Sequence, residues 1–314
     1  MKLMSLDPAV RRLAPHALPL AIGLIVIAFA IAQPAFLKPE NLVGIVRQMV
    51  LVGIMAVGMT FVIMTGGVDL SVGPVLALSG LVAFFCLDAG MPVAVAIVAG
   101  ASIGLAIGLV NGAIIAFLQL PPIIVTLAML SMVRGTALIL GGPDLHAIRG
   151  QDAYTFIGTG RILGIPFPIY LFLLAALIMI FMQKLTPLGL RVAAIGENER
   201  AAYLSGHRTR LTKMALYGIS GLGAAIAGMI QSSQVHTAAA TYGEFGIELD
   251  VIAAVVLGGT SLTGGNGSVV RTLVGILFLG VMNNGMNILN VPLDMQLIAK
   301  GFIIVLSLAL SELK

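Results

Sequence analysis

No Gly-Lys dipeptide occurs in this chain, so it holds no Walker A phosphate loop. H-E-x-x-H and G-x-S-x-G are missing too, as is any Cys/His cluster at metal-ligand spacing. The histidines, His16, His146, His207 and His236, are scattered over separate segments. An enzyme reading therefore has no nucleophile or metal site to rest on, and no cofactor is expected on this chain. The single cysteine, Cys86, excludes an internal disulfide. It lies in an apolar run and reads as a packing residue, not a reactive thiol. Charge is scarce as well: 10% of the residues are Asp, Glu, Lys or Arg, where a soluble domain carries about 25%.

What is there instead is apolar. Hydrophobic residues make up 59% of the 314 positions, and the mean hydropathy is +1.09. They are spread along nearly the whole chain and are not confined to core faces, so lipid is the expected solvent. A membrane span needs roughly 20 such residues. Candidate spans cover residues 17–33, 44–64, 71–87, 92–117, 122–141, 167–183, 213–232, 247–261, 269–289 and 295–311. The third and eighth are short enough to be broken or half-buried helices. Arg11 and Arg12, an apolar stretch and then Ala30-Ile31-Ala32 imitate a cleavable secretory signal. The stretch is long for a signal, and Pro34 and further membrane follow it, so an uncleaved first span is expected. The fold class is all-α: a polytopic transmembrane helical bundle of about ten spans, forming one domain over residues 1–314.

A net charge of +4 could suggest nucleic acid, but the positions of the charges argue otherwise. Lys2, Arg11 and Arg12 precede the first span, and Lys184, Arg191, Arg200, Arg208, Arg210 and Lys213 share one polar segment. With both termini inside, these nine join Arg271 and Lys314 on the inner side, against Lys38, Arg47, Arg149 and Arg161 outside. Eleven against four follows the positive-inside rule and predicts N-in, C-in. Residues 142–166 then form an outward-facing loop and 184–212 a cytoplasmic one.

Several local patterns stand out. Gly100, Gly104, Gly108 and Gly112 recur every four residues, a smooth stripe that lets helix backbones approach in lipid. Between the second and third spans lie Gly66, Gly67, Asp69 and Ser71. Adjacent glycines break a helix, and Asp69 with Ser71 suits the start of the next one. The segment is either a capped turn or a gate on a translocation pathway, where irregular backbone lines a cavity. Gly-Gly-x-x-Leu-Ser/Thr-x-Gly occurs at 66–73 and again at 258–265, an echo of the kind internal repeats leave. Both copies fall at inner ends of outward-to-inward spans, which is not a simple inverted pair. Asn283, Asn284 and Asn287 share a face of the ninth span, and Asn111 and Thr126 could face the same interior. They would line a hydrophilic path or hydrogen-bond between helices. Arg134 and Lys300 lie in apolar runs; snorkelling to the outer surface is the simpler reading, a functional charge the other. In the cytoplasmic loop, Asn198 can cap a short helix, Glu199 suits its first turn and Gly206 its end. That helix is either a solvated connector or, through Ala201 and Ala202, a piece that docks into a groove on a partner.

Five blocks together resemble one family: AVGMTFVIMTGGVDLSVG (56–73), PPIIVTLAML (121–130), GENERAAYLSG (196–206), ELDVIAAVVLGGTSLTGGNGSVV (248–270) and NNGMNIL (283–289). In this order they are similar to permease subunits of bacterial ribose-type ATP-binding-cassette (ABC) importers, which serve monosaccharides. The resemblance implies residence in the inner membrane and a second permease subunit enclosing the path. It implies a periplasmic sugar-binding protein docking on 142–166 and 233–246. A separate cytoplasmic ATPase, carrying ATP and Mg, would grip a coupling helix at Glu199, Ala201, Ala202, Ser205 and Gly206 and drive alternating access. With no tryptophan in the chain, no aromatic platform for sugar stacking is evident. Three rivals remain. An ion-coupled secondary transporter needs ionisable groups at mid-membrane, whereas Asp69 and Asp250 fall near span ends. A related ABC permease could carry branched-chain amino acids or nucleosides. A membrane-embedded enzyme lacks its motifs.

Overall fold

In the computed structural model, which describes residues 17–243 and 246–312, every candidate span is a helix. In chain order the helices are α1 (Ala17–Ala32), α2 (Pro39–Met64), α3 (Val72–Asp88), α4 (Val93–Leu118), α5 (Pro122–Gly141), α6 (Asp152–Thr159) and α7 (Phe167–Lys184). There follow α8 (Pro187–Glu197), α9 (Glu199–Leu204), α10 (Thr209–Val235), α11 (Ile247–Leu257), α12 (Val269–Ile288) and α13 (Leu293–Glu312). Helices α6, α8 and α9 lie in the two long loops; the other ten are the apolar stretches. Among the described residues, α2, α4, α5, α7, α10 and α12 are long and apolar enough to cross a membrane, and α1 and α3 are shorter apolar helices. The architecture is that of an all-α polytopic membrane protein. Lys2, Arg11, Arg12, His16 and Lys314, and the signal-like start, lie outside the described residues.

Local chemistry sets the boundaries. Proline occupies the first turn of α2, α5, α7 and α8, where its missing N–H costs nothing. Thr186, Asn198 and Ser268 cap α8, α9 and α12 by accepting from Leu188 N, Ala201 N and Arg271 N. Between α2 and α12, α3 and α10 complete an inner group of largely buried residues. Around it, α1, α4, α5, α7 and α13 turn residues such as Leu24, Val98, Ile139, Leu177 and Ile298 outward. In lipid such a surface is the solvated one.

The glycine stripe is the seam between α4 and α10. A Cβ on Gly104 would collide with the carbonyl of Gly221 and with Ala225, and one on Gly108 with the carbonyl of Tyr217. Gly100 faces Met229 and Gly112 faces Met214, so the contact runs the whole length of an antiparallel pair, as the four-residue spacing predicts.

At one end, α6 folds over the tip of α10. Tyr154 Oη and Ser232 Oγ are 2.7 Å apart, and Ser233 Oγ accepts from Gly158 N at 2.7 Å. Two short strands, β1 (His146–Ala147) and β4 (Thr237–Ala238), pair antiparallel with His146 opposite Ala238. Between them, β2 (Arg161–Ile162) and β3 (Ile165–Pro166) form a small hairpin. The 142–166 and 233–246 loops are therefore tied together; Glu244 and Phe245 lie outside the described residues.

Helix α11 is only 11 residues long, about 17 Å at the α-helical rise, well short of a bilayer core of about 30 Å. The segment before it dips into the bundle and meets the start of α3. A Cβ on Gly243 would lie 2.5 Å from the carbonyl oxygen of Gly73. The two short helices thus begin beside each other inside the protein. Arg134 serves this dip by donating to the carbonyls of Ala240 and Tyr242, the latter at 2.9 Å. It does not snorkel outward: unpaired carbonyls at depth demand a donor.

Candidate functional site

The break between α2 and α3 is a buried polar junction. Gly66 has φ +77°, which a residue with a side chain rarely adopts, and it turns the chain out of α2. Gly67 packs where a Cβ would collide with the hydroxyl of Tyr217. Asp69 is fully buried. Its Oδ1 accepts from Ser71 N at 3.1 Å and Ser71 Oγ at 2.6 Å, and its Oδ2 accepts from Ser220 Oγ at 2.9 Å. Asn111 Nδ2 donates to Ser71 Oγ at 2.9 Å, and Thr126 Oγ1 to Val68 O at 3.2 Å. Three helices, α4, α5 and α10, thereby converge on the short unwound segment between α2 and α3. The carboxylate closes an Asx-type turn on Ser71 and reaches α10; it does not bond the first-turn amides of α3. Burying a carboxylate is tolerated when several donors surround it, and three do here.

Ser220 and Tyr217, on α10, escaped the sequence reading. Their signal was weak: a serine and a tyrosine within the glycine-rich run 217–223.

The echoing run at 258–265 docks against this junction. Gly265 N donates to Met64 O at 2.9 Å, and a Cβ on Gly264 would sit 2.9 Å from Gly196 O and 3.0 Å from Gly66 N. The two Gly-Gly runs and the start of the 196–206 block therefore share one end of the bundle. Their backbones differ: the left-handed glycine is the first of the pair in one (Gly66) and the second in the other (Gly259).

Helix α9 projects from that end. Asn198 Oδ1 accepts from Ala201 N at 2.9 Å, Gly206 ends the turn with φ +86°, and Glu199 pairs with Lys213 of α10. Ala201, Tyr203, Leu204, Ser205 and Gly206 are exposed. Ala202 is not; it is 4% exposed, packed onto its own chain. The expected two-alanine docking face is corrected here: only Ala201 is available, joined by Tyr203 and Leu204.

The asparagines of α12 do not join Asn111 and Thr126, which belong to the Asp69 junction. They also diverge from one another. Asn284 Oδ1 accepts from Asn41 at 3.0 Å, and Asn287 Oδ1 from Gln296 at 2.9 Å. Asn283 Oδ1 is buried with no hydrogen-bond partner. Lys300, expected to snorkel, instead pairs with Asp250 Oδ2 at 2.8 Å.

Comparison with known proteins bears on what this arrangement does. Residues 41–308 match the family described as branched-chain amino acid transport system / permease component. The ribose import permease protein of Bacillus subtilis (strain 168) is 40% identical over 314 residues, covering 100% of this chain and 96% of the relative. That of Escherichia coli (strain K12) is 39% identical over 94% of this chain and 92% of its own length. The D-allose transport system permease protein of Escherichia coli (strain K12) is 33% identical over 93% and 90%. No solved structure matches.

Proposed function

Because this chain belongs to the family of transport-system permease components, in its ribose-type ABC importer group, we propose that it carries a monosaccharide across the bacterial inner membrane by alternating access. The observation that carries this reading is the end-to-end identity with ribose import permeases. We propose that all ten apolar helices cross or enter the membrane with both termini inside, and that the whole chain acts as one permease domain. The basic residues around α8 and α9 support that orientation, since Arg191, Arg200, Arg208 and Arg210 crowd the end that carries α9.

The division of labour follows from where the residues sit. A partner ATPase, holding ATP and Mg, grips α9 through Ala201, Tyr203 and Leu204. Its movement reaches the α2–α3 break by two short routes: Glu199 to Lys213 at the foot of α10, and Gly196 through Gly264 to Gly66. The Asp69–Ser71–Ser220 bonds hold the break in one of two arrangements, so the junction acts as the gate. At the other end, the joined 142–166 and 233–246 loops present a surface for a periplasmic sugar-binding protein. A second permease copy or homologue encloses the path.

Co-purification tests the assembly. A nucleotide-binding subunit should come down with this chain, and its ATPase should rise when a sugar-loaded binding protein is added. An ATPase that ignores the loaded binding protein would contradict it.

A further inference from the structure

We propose that the Asp250–Lys300 ion pair is a latch that positions helix α11, holding it in the present arrangement and releasing it when the permease changes state. The proposal rests on the permease reading above and gives these two residues a positioning role within it.

Helix α11 is built to move as a unit. Its 11 residues lie between two glycines in the left-handed region, Gly246 at φ +77° and Gly259 at φ +80°. A side chain strains in that conformation, whereas glycine enters and leaves it freely. Positions of this kind at the ends of a rigid element absorb the backbone change of a hinge. Gly259 belongs to the 258–265 run, whose Gly264 packs against Gly196 and Gly66. A pull on the α8–α9 segment therefore reaches α11 through its C-terminal hinge.

The other end of α11 is pinned by a neighbour. Asp250, in the first turn, pairs through Oδ2 with Lys300 Nζ of α13 at 2.8 Å. Helix α13 is itself anchored one turn earlier by Gln296, whose amide donates to Asn287 Oδ1 and Val291 O, both at 2.9 Å. Gln296 is the one buried side chain among those described on α13. Among the described residues, the ion pair is the side-chain hydrogen bond that joins α13 to α11.

Two observations separate a latch from a fixed brace. The Asp250 and Lys300 side chains are 17% and 18% exposed, so both shed most of their water to meet. A permanent brace between two helices costs less when made of apolar side chains. An ion pair can also open, because the flexible lysine stem lets the ammonium swing to the nearest polar surface. The second observation is space. Asp250 lines a cavity of ≈ 30 Å³ between α2, α11 and α12, with Met49, Val52, Ile276 and Leu279 among its other walls. Atoms at a void lack partners on one side, so α11 is loosely held there and has room to shift.

The complex with its ATPase and binding protein, in proteoliposomes, tests the latch. Hydrogen–deuterium exchange of the 247–257 amides is followed without nucleotide and with ATP trapped by vanadate. In wild type these amides should exchange several-fold faster in one state than in the other. Equal rates overturn the proposal, whatever any variant does. Lys300→Met removes the charge and keeps most of the stem, and α11 should then exchange fast in both states. Its ATPase should run without loaded binding protein, so the D-ribose carried per ATP hydrolysed should fall several-fold. Lys300→Arg keeps the charge and should preserve both readouts, a rescue that a packing role would not require. Both are ratios within the folded complex, so a lower yield of protein does not move them. Lys300→Met that carries D-ribose per ATP like wild type overturns the latch, as does Lys300→Arg that is uncoupled to the same degree as Lys300→Met. Absence of ATP-driven D-ribose uptake in wild type is a separate result: it removes the permease reading on which the latch rests.

Discussion

Ser220 Oγ donates to Asp69 Oδ2 at 2.9 Å, across 151 positions of sequence. This bond pins the unwound α2–α3 segment to the middle of α10. Asp69→Ala strands the hydroxyls of Ser71 and Ser220 in a dry interior, at about 1–3 kcal/mol for each unsatisfied group. The melting temperature of the purified variant should fall clearly. Asp69→Asn keeps an acceptor in place; it should assemble and lose transport more than stability. An Asp69→Ala variant as stable as wild type, with full transport, would show that the junction matters to neither.

The α4–α10 seam makes a sharper structural prediction. Gly104→Val places branched carbon against backbone on Gly221, which cannot step aside. Overpacking costs about 1–3 kcal/mol, and a rigid neighbour puts this change at the upper end. Gly135→Ala on α5 meets nothing within 4 Å and should be neutral. Comparing the yield and thermal stability of the two variants decides whether the stripe is a packing device.

On α9, the adjacent alanines should behave oppositely. Ala201→Asp puts a charge on the exposed face, and a charge buried in an interface costs on the order of 2 kcal/mol or more. It should cut association with the ATPase at least tenfold and abolish uptake while the chain still inserts and folds. Ala202→Asp forces a charge beneath the helix and should destabilise the 187–212 segment itself. Pull-down and protease protection separate the two. Normal uptake by Ala201→Asp would remove the coupling role from α9.

Burial pushes the Tyr154 phenol up from 10.0 to about 12, with the Ser232 hydrogen bond opposing it in part. A raised folded-state pKa contributes stability that is complete below the unfolded value and is lost as pH rises through the folded one. The α6–α10 contact should therefore weaken between pH 10 and about 12. Tyr154→Phe should cost about 1 kcal/mol at neutral pH and lose less stability across that alkaline window than wild type. Parallel melting curves at several pH values check both statements.

Local properties were readable from residues alone, because hydropathy, helix caps and glycine spacing act within a few turns of one helix. All ten apolar stretches became helices, Asn198 and Gly206 bound α9 as expected, and the Gly100–Gly112 stripe became a seam. Pairings across the bundle were not readable. Lys300 finds Asp250 at 50 positions and Arg134 finds Tyr242 at 108; each had a cheaper one-helix explanation in snorkelling. Asn111 and Asn283 looked like parts of one path, since a shared polar character says nothing about which neighbour each helix faces. Ala202 was misassigned because a six-residue helix has too few positions to reveal its buried side.

The most direct measurement is sugar uptake by proteoliposomes containing this chain, a cognate ATPase and a binding protein. Uptake should require ATP inside the vesicle and a sugar-loaded binding protein outside, and it should persist when ionophores dissipate ion gradients. Uptake that survives without ATP and collapses with the ionophore would contradict the account.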